Sequence, residues 1–420
     1  MSSEAAGSSL TEEKIRHYKI TAWVVTIAIF LTGVSLAYAQ NKVSPVIPVF
    51  MDVFSIDMTT AGWLSSVFST VAMISALPAA WIIGRLGSRK CGLIAIICAL
   101  IGSALGILSG SIEILMVVSR VIEGIGVGII SVIAPALVSM WFPAQKRGAP
   151  MGLWGAWQMA AQSLVFFIGA SVTDSFGWRG LWVLGIALLV VVLVLYVAKV
   201  KAPPSEYNFA DAENKKFSMI EGLRVPSVWF CGISTMCFTF ACFGFCNWIA
   251  SYWVDTFGWS MDEANNYVGW IYFIEIFLVI GVGFALNHVK NRKRICEIAH
   301  LFYMLVLLWC FHMDDPSFIW PFCIIYALAE GSIPTTFWTL IAQTVPKPEL
   351  APVTIGVLGL LQNLGMLLGP PIAGFFIQTF GWGYGSLPMV VAAGFGLLFF
   401  CFVKIYPPQE PMKALESADL

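Results

Sequence analysis

Five ionisable side chains stand inside otherwise apolar stretches of this chain: Lys42, Arg120, Glu123, Glu275 and Glu330. A charge at the centre of a membrane helix costs roughly 2.5–3.5 kcal/mol on insertion scales, so each needs a partner or a wet cavity. Lys42 and Arg120 are of the type that holds an anion. Glu123, Glu275 and Glu330 are of the type that carries a proton, because a carboxyl in apolar surroundings can bind and release one near neutral pH.

Each has a plainer reading beside that one. Lys42 lies far along the first apolar run, roughly 33 Å from its start on a straight helix at ~1.5 Å per residue. It either snorkels to the outer interface or faces a central cavity, and the apolar sequence continuing to Phe50 favours the cavity. Arg120 and Glu123, three apart, share a helix face. They form a self-satisfied ion pair, or Arg120 binds an anion and tunes the carboxylate. Glu275 sits in Phe273-Ile274-Glu275-Ile276-Phe277 with no charge adjacent in sequence. For Glu275 and Glu330 the alternative to proton coupling is pairing with a polar group of a neighbouring helix.

Amides and aromatics complete the candidate substrate set. Asn41 lies beside Lys42; Asn247, Trp248 and Tyr252 lie on the seventh apolar run; Trp154, Gln158 and Gln162 lie on the fifth, and Gln362 and Asn363 on the eleventh. Amides and aromatics around one lysine suit a small organic anion such as an aromatic carboxylate, although tryptophans also serve as interfacial belts. No metal or cofactor is expected. The 4 histidines lack ligand spacing, and His288 and His300 read as loop residues near the basic face. The 10 cysteines fall in or beside apolar runs and read as small apolar side chains; Cys242 and Cys246 have three residues between them, unlike a CxxC site.

The elements that must position these residues are membrane helices. The chain of 420 residues is 59% hydrophobic and 11% charged, with mean hydropathy +0.83, whereas soluble domains are about 25% charged. A net charge of −1 provides no field for nucleic acid. Spans need about 20 apolar residues. Such runs cover 20–51, 58–84, 91–110, 113–140, 149–172, 179–199, 226–254, 264–288, 295–313, 316–342, 351–377 and 384–404. Pro45 and Pro48 bend the outer end of the first. Of the 23 Lys and Arg, all but Lys42, Arg120 and Arg179 fall on one side of the alternating topology. The positive-inside rule makes that side, with both termini, cytoplasmic. The polar start lacks the apolar core and cleavage site of a signal peptide. The expected organisation is a cytoplasmic tail (1–19), a six-helix bundle (20–200), a cytoplasmic linker that could hold a short surface helix (201–225), a second six-helix bundle (226–405) and a cytoplasmic tail (406–420).

The halves repeat. Phe176-Gly177-Trp178 reappears as Phe380-Gly381-Trp382, and at that offset Gly152, Gly155 and Gln158 match Gly356, Gly359 and Gln362. Gly62-Trp63 matches Gly269-Trp270, and Glu123-Gly124 matches Glu330-Gly331. Six helices per unit make the halves parallel repeats about an axis normal to the membrane, with the substrate site near mid-membrane between them.

On these residues the chain resembles the major facilitator superfamily over essentially its whole length. Gly84-Arg85-Leu86-Gly87-Ser88-Arg89-Lys90 resembles the superfamily's loop signature G-x-x-x-D-R-x-G-R-K, with Ala80 in place of its first Gly and Gly84 in place of its Asp. The resemblance implies a gating role for Arg85, Arg89 and Lys90, without the contact that the signature's Asp makes. The matching second-half loop has Asn287 at the Asp position. Arg120-x-x-x-Gly124-x-Gly126 resembles the fourth-helix pattern, whose glycines let helices approach closely. The proline-glycine motif of drug/proton antiporters is absent from the fifth run; a similar segment, Gly365 to Pro371, lies in the eleventh. Met151-Gly152-Leu153-Trp154 and Asn41 to Pro48 look similar to the cyanate/nitroimidazole permease-like, organic-anion branch.

The expectation is an all-α polytopic protein of the major facilitator fold: a monomeric, multi-pass secondary transporter of the plasma membrane. It would import a small organic anion with protons by alternating access. An exporter of drugs or metabolites is the alternative, and a membrane-embedded enzyme or sensor a remote one.

Overall fold

The computed structural model describes residues 2–74, 85–143, 146–204, 219–286, 288–289, 291–347 and 350–406, and the side chains of all of these except 2–15, 342, 351 and 352. Among the described residues there is no β-strand. Twelve segments run in sequence: α1 (Ser2–Asn41), α2 (Met58–Ser66, continuing to Ile74 past a turn at Val67), α3 (Ser88–Leu108), α4 (Glu113–Trp141), α5 (Gly148–Phe176, stepped at Ala156), α6 (Arg179–Lys199), α7 (Pro226–Phe257), α8 (Met261–Leu286), α9 (Arg292–Trp309), α10 (Ile319–Leu340), α11 (Ala351–Phe380) and α12 (Leu387–Cys401). Ten are long and apolar enough to cross a membrane, and Met58–Ile74 is a shorter apolar helix. The rest of the second expected run, and positions Ala80, Gly84 and Asn287 of the loop signatures, lie outside the described residues. So does most of the expected linker, of which Met219–Leu223 is a short helix.

The first run departs most from expectation. Helix α1 begins at Ser2, well before residue 20, and stops at Asn41. A 3-10 turn (Ser44–Val46) and a short helix (Ile47–Phe54) follow. Pro45 and Pro48 have no N–H for a continuous ladder, so the chain breaks beside Lys42. Ser55 then takes a left-handed conformation (φ 52°), and Asp57 caps α2 by accepting from the Thr60 N–H at 2.8 Å.

Within the first half, α1 packs on α4, α5 and α6, and α3 on α4 and α6; within the second, α7 packs on α11 and α12, and α10 on α8 and α9. The halves meet through two pairs, α5 with α8 and α2 with α11. These pairs exchange under the repeat, as a two-fold axis between parallel halves requires. The matched glycines lie on these seams. A methyl group on Gly62 would strike the backbone of Pro370 and Pro371, and one on Gly269 would strike the Phe167 ring. Large apolar side chains such as Val191, Val194, Phe277 and Phe284 are exposed. That is the surface a bilayer covers, since lipid tails solvate such side chains as well as a protein core does.

Candidate functional site

The break after Asn41 leaves the last carbonyls of α1 without helical partners. Lys42 N–H takes Tyr38 O at 3.0 Å. The Arg120 guanidinium takes the next two: Nη1 donates to Ala39 O at 2.5 Å and Nη2 donates to Gln40 O. A cation at the C-terminal end of a helix also opposes its macrodipole. Arg120 Nη1 pairs with Glu123 Oε2 at 2.7 Å, and Lys42 Nζ with Glu123 Oε1 at 2.6 Å. Ser103 Oγ on α3 donates to the same Oε1 at 2.6 Å. Lys42 Nζ lies 4.1 Å above the Trp182 ring of α6, a cation–π contact. All three charged groups are at most 1% exposed. Two cations share one carboxylate, so the cluster carries one net positive charge.

Lys42 therefore takes neither position expected for it: it reaches neither the outer interface nor the gap between the halves. Its ammonium points among α3, α4 and α6 because Glu123, Ser103 and Trp182 together replace its hydration. The neighbouring amides do face the partner helix. Asn41 Nδ2 donates to Gln158 Oε1 at 3.4 Å and Gln158 Nε2 to Gln40 Oε1 at 3.2 Å. Trp154 stacks on Trp157 (4.7 Å, 11°) and is buried against Gly33 of α1.

The second half holds a different cluster. Glu275 on α8 and Glu330 on α10 are both buried, and Glu275 packs on Gly331. Glu275, without an ionisable neighbour in sequence, thus packs beside the Glu330–Gly331 step in space. Cys242 Sγ on α7 donates to Glu330 Oε1 at 2.7 Å. Tyr303 and Tyr326 hydroxyls lie 3.2 Å apart beside it. Glu275 Oε2, Glu330 Oε2 and the Tyr272 hydroxyl are buried without a hydrogen-bond partner, and among the described residues neither carboxyl has an ion pair. Ionised carboxylates are costly in such surroundings, and the neutral acid is the form burial tolerates. Among the described residues no group of three or more His, Cys, Asp and Glu could hold a metal ion.

Between the clusters the halves touch along the seams. At the far end from the termini, Ser171 Oγ donates to Asp262 Oδ1 at 2.6 Å, Asn265 Nδ2 donates to Pro45 O at 2.7 Å, and Gln378 Nε2 donates to Asp57 Oδ2 at 3.4 Å. Nearer mid-height, Ser44 Oγ donates to Asn247 Oδ1 at 3.3 Å, Ser66 Oγ to Leu367 O at 2.9 Å and Gln162 Nε2 to Cys246 Sγ at 3.6 Å. Each of these contacts lies between the level of Gln162 and the far end. Closer to the termini, the repeat-matched Gly152, Gly155, Gly356 and Gly359 have nothing within 4 Å of where a methyl would be, and Gln158, Gln362 and Asn363 are half-buried above them. We read this pattern, with hydrogen bonds between the halves from Gln162 to the far end and open space at the four glycines, as a cleft with its vertex at Gln162 that widens toward the termini.

Other sequence-derived candidates fall elsewhere. Trp248 Nε1 donates to Pro370 O at 2.9 Å and Tyr252 OH to Met313 O at 2.9 Å, both inside the second bundle and away from the cleft. Arg89 reaches Val197 O of its own half at 2.8 Å, and Arg85, Arg89 and Lys90 are exposed. His300 is no loop residue: it is buried on α9, donating to Cys296 O at 2.8 Å and lying 3.2 Å from Ser234 Oγ. These two partners let a neutral imidazole sit in the bundle. Gln40, Ser103, Trp182, Cys242, Cys246 and Tyr272 were not among the candidates. The four-residue step from Cys242 to Cys246, which puts both thiols on one helix face, was the one signal available.

Comparison with known proteins agrees with this architecture. The pattern of the Major Facilitator Superfamily matches residues 25–365. The hexuronate transporter of Bacillus subtilis is 22% identical over 379 residues, covering 85% of this chain and 88% of that protein. A Bacillus subtilis protein described as "probable galactarate/D-glucarate transporter" is 23% identical, covering 94% of each. Among solved structures, a bacterial homolog of the human lysosomal transporter Spinster in an inward-facing, unoccupied conformation superposes with TM-score 0.74 at 16% identity, covering 92% of this chain and 97% of that one. The D-xylose-proton symporter gives 0.71 at 17%, covering 92% and 98%.

Proposed function

The chain belongs to the major facilitator superfamily and is a multi-pass membrane transporter, and from that premise we propose that it takes up a small organic anion, a carboxylate, together with protons. The observation that carries this reading is the placement of opposite chemistries on either side of the cleft vertex. The first bundle holds one uncompensated positive charge behind Gln40, Asn41 and Gln158. The second holds two carboxyls with no counter-ion among the described residues. In this reading the amides contact the substrate, while Lys42 and Arg120 supply the attracting field from behind them. Glu330 and Glu275 carry the proton. The sugar-acid names of two relatives support an anionic substrate.

The seams support alternating access as the mode of transport. They close the far end here, and rocking the halves about the vertex would open it and bring α5 and α11 together at the glycine faces. The one-sided basic loops support cytoplasmic termini; in this reading the arrangement is inward-facing and the protein works in the plasma membrane. The two bundles, 20–200 and 226–405, act as the rocking units of a monomer.

The test is uptake into proteoliposomes from a panel of sugar acids and aromatic carboxylates, with and without a protonophore. Uptake of at least one acid, abolished by the protonophore and lost from that dependence in Glu330→Gln, is expected. Uptake indifferent to the protonophore removes proton coupling. Efflux without uptake would favour the exporter reading.

A further inference from the structure

The buried carboxyls of the second bundle, which with the Tyr272 hydroxyl make up a polar chamber, abut side chains of the first. Gln162 on α5 donates across the seam to Cys246 Sγ at 3.6 Å. One turn further, Phe166 stacks on Tyr272 (6.0 Å, 25°), the residue whose unpartnered hydroxyl belongs to the same chamber. Phe167 packs edge-on against Trp270 (5.5 Å, 80°) and continues the seam outward. Gln162, Phe166, Cys246, Tyr272 and both carboxyls are all buried. The groups facing the carboxyls are Cys242 and Cys246 from α7, Tyr272 from α8, Tyr303 from α9 and Tyr326 from α10. Gln162 is also the last rung before the open cleft. An amide donating to a thiol is a weak hydrogen bond, and an aromatic stack is worth about 0.5–1.5 kcal/mol beyond its burial. Such a closure holds and also releases.

We infer that Gln162 and Phe166 form a lid, supplied by the opposite half, that admits solvent to the Glu275–Glu330 chamber only when α5 and α8 separate. The inference rests on the proposed proton role of these carboxyls for its transport consequence, but not for the lid itself. Because the lid belongs to one rocking unit and the carboxyls to the other, movement of the halves and exposure of the chamber become one event. In this inference Gln162 and Phe166 act as positioning residues, through Cys246 and Tyr272.

The native Cys246 thiol reports the lid directly. The purified protein in proteoliposomes is treated with N-ethylmaleimide, alkylation at Cys246 is followed by peptide mass spectrometry, and a pH-sensitive dye inside the vesicles follows substrate-free proton entry. Phe166→Ala should alkylate about tenfold faster at Cys246 than wild type, the change produced when the closed arrangement loses ~1.4 kcal/mol. It should also leak protons, and the leak should vanish in Phe166→Ala combined with Glu330→Gln. Gln162→Leu should show both effects more weakly, and Phe166→Leu, which keeps an apolar cover and guards against misfolding, should stay near wild type. Faster alkylation without any leak upholds the lid and overturns the proton role of the carboxyls. Unchanged alkylation in both Phe166→Ala and Gln162→Leu overturns the lid.

Discussion

Glu123 and Glu330 occupy matched positions of the internal repeat, each followed by a glycine, and live in opposite surroundings. Glu123 accepts from Lys42, Arg120 and Ser103 and leaves neither oxygen free. Glu330 accepts from the Cys242 thiol at one oxygen, and its other oxygen is buried without a partner. One copy of the repeated carboxyl is a counter-ion beside a broken helix, and the other is buried with no counter-ion among the described residues. Under the proposed function, the same duplication would give attraction of charge to one half and transfer of charge to the other.

The largest test of this contrast is replacement of each carboxylate by its amide. Glu123→Gln strands two buried cations, and removing one partner of a buried pair costs about 3–5 kcal/mol. We expect a lowered thermal midpoint and poor recovery of the detergent-solubilised protein. Glu330→Gln replaces a buried group with a neutral one of equal shape and should leave the midpoint within about 1 kcal/mol of wild type. Equal destabilisation by the two substitutions would break the comparison.

Arg120→Lys comes next. A single ammonium cannot span Ala39 O, Gln40 O and Glu123 as a planar guanidinium does. A loss of about 2 kcal/mol, read in the same thermal assay, is expected from the carbonyls left unsatisfied. No loss would mean that the end of α1 does not depend on its cap.

Lys42→Met removes the excess charge while leaving Arg120 and Glu123 paired. One unit charge at ~10 Å in an effective dielectric of ~20 is worth ~1.7 kcal/mol, so KM for an anionic substrate should rise roughly tenfold to twentyfold. A neutral analogue should be unaffected, and equal effects on both would remove the electrostatic role.

The smallest effect is expected at the closed end. Asp57→Ala loses the cap of α2 and the bond from Gln378, about 1 kcal/mol. Hydrogen bonds from the Thr60 side chain and backbone hold the Asp57 carboxyl below its ordinary value of 3.8. A carboxyl lowered on folding stabilises above its unfolded value and ceases to as pH falls through its folded one. The penalty of Asp57→Ala, read as a shift in thermal midpoint, should therefore be constant from weakly acidic to neutral pH and disappear only in strong acid.

Much of the architecture was legible because a bilayer imposes it. Apolar runs of spanning length, the one-sided Lys and Arg and the repeat led to twelve helices in two halves, since unpaired backbone cannot cross lipid and basic loops resist translocation. The repeat even marked Gly62 and Gly269, whose missing side chains let the halves touch. The i,i+3 spacing was enough to join Arg120 to Glu123. The sequence could not orient Lys42, because burial inside one bundle and exposure to a cavity have the same apolar signature along one helix. Only the convergence of α3, α4 and α6 decided that its ammonium meets Glu123, Ser103 and Trp182. Nor could it bring Glu275 to Glu330, or Gln162 to Cys246, because those meetings depend on which faces of separate helices pack together. Spans and their sidedness are written locally in composition; partners across helices are set by tertiary packing, where each buried polar group finds whatever donor the neighbouring helix presents.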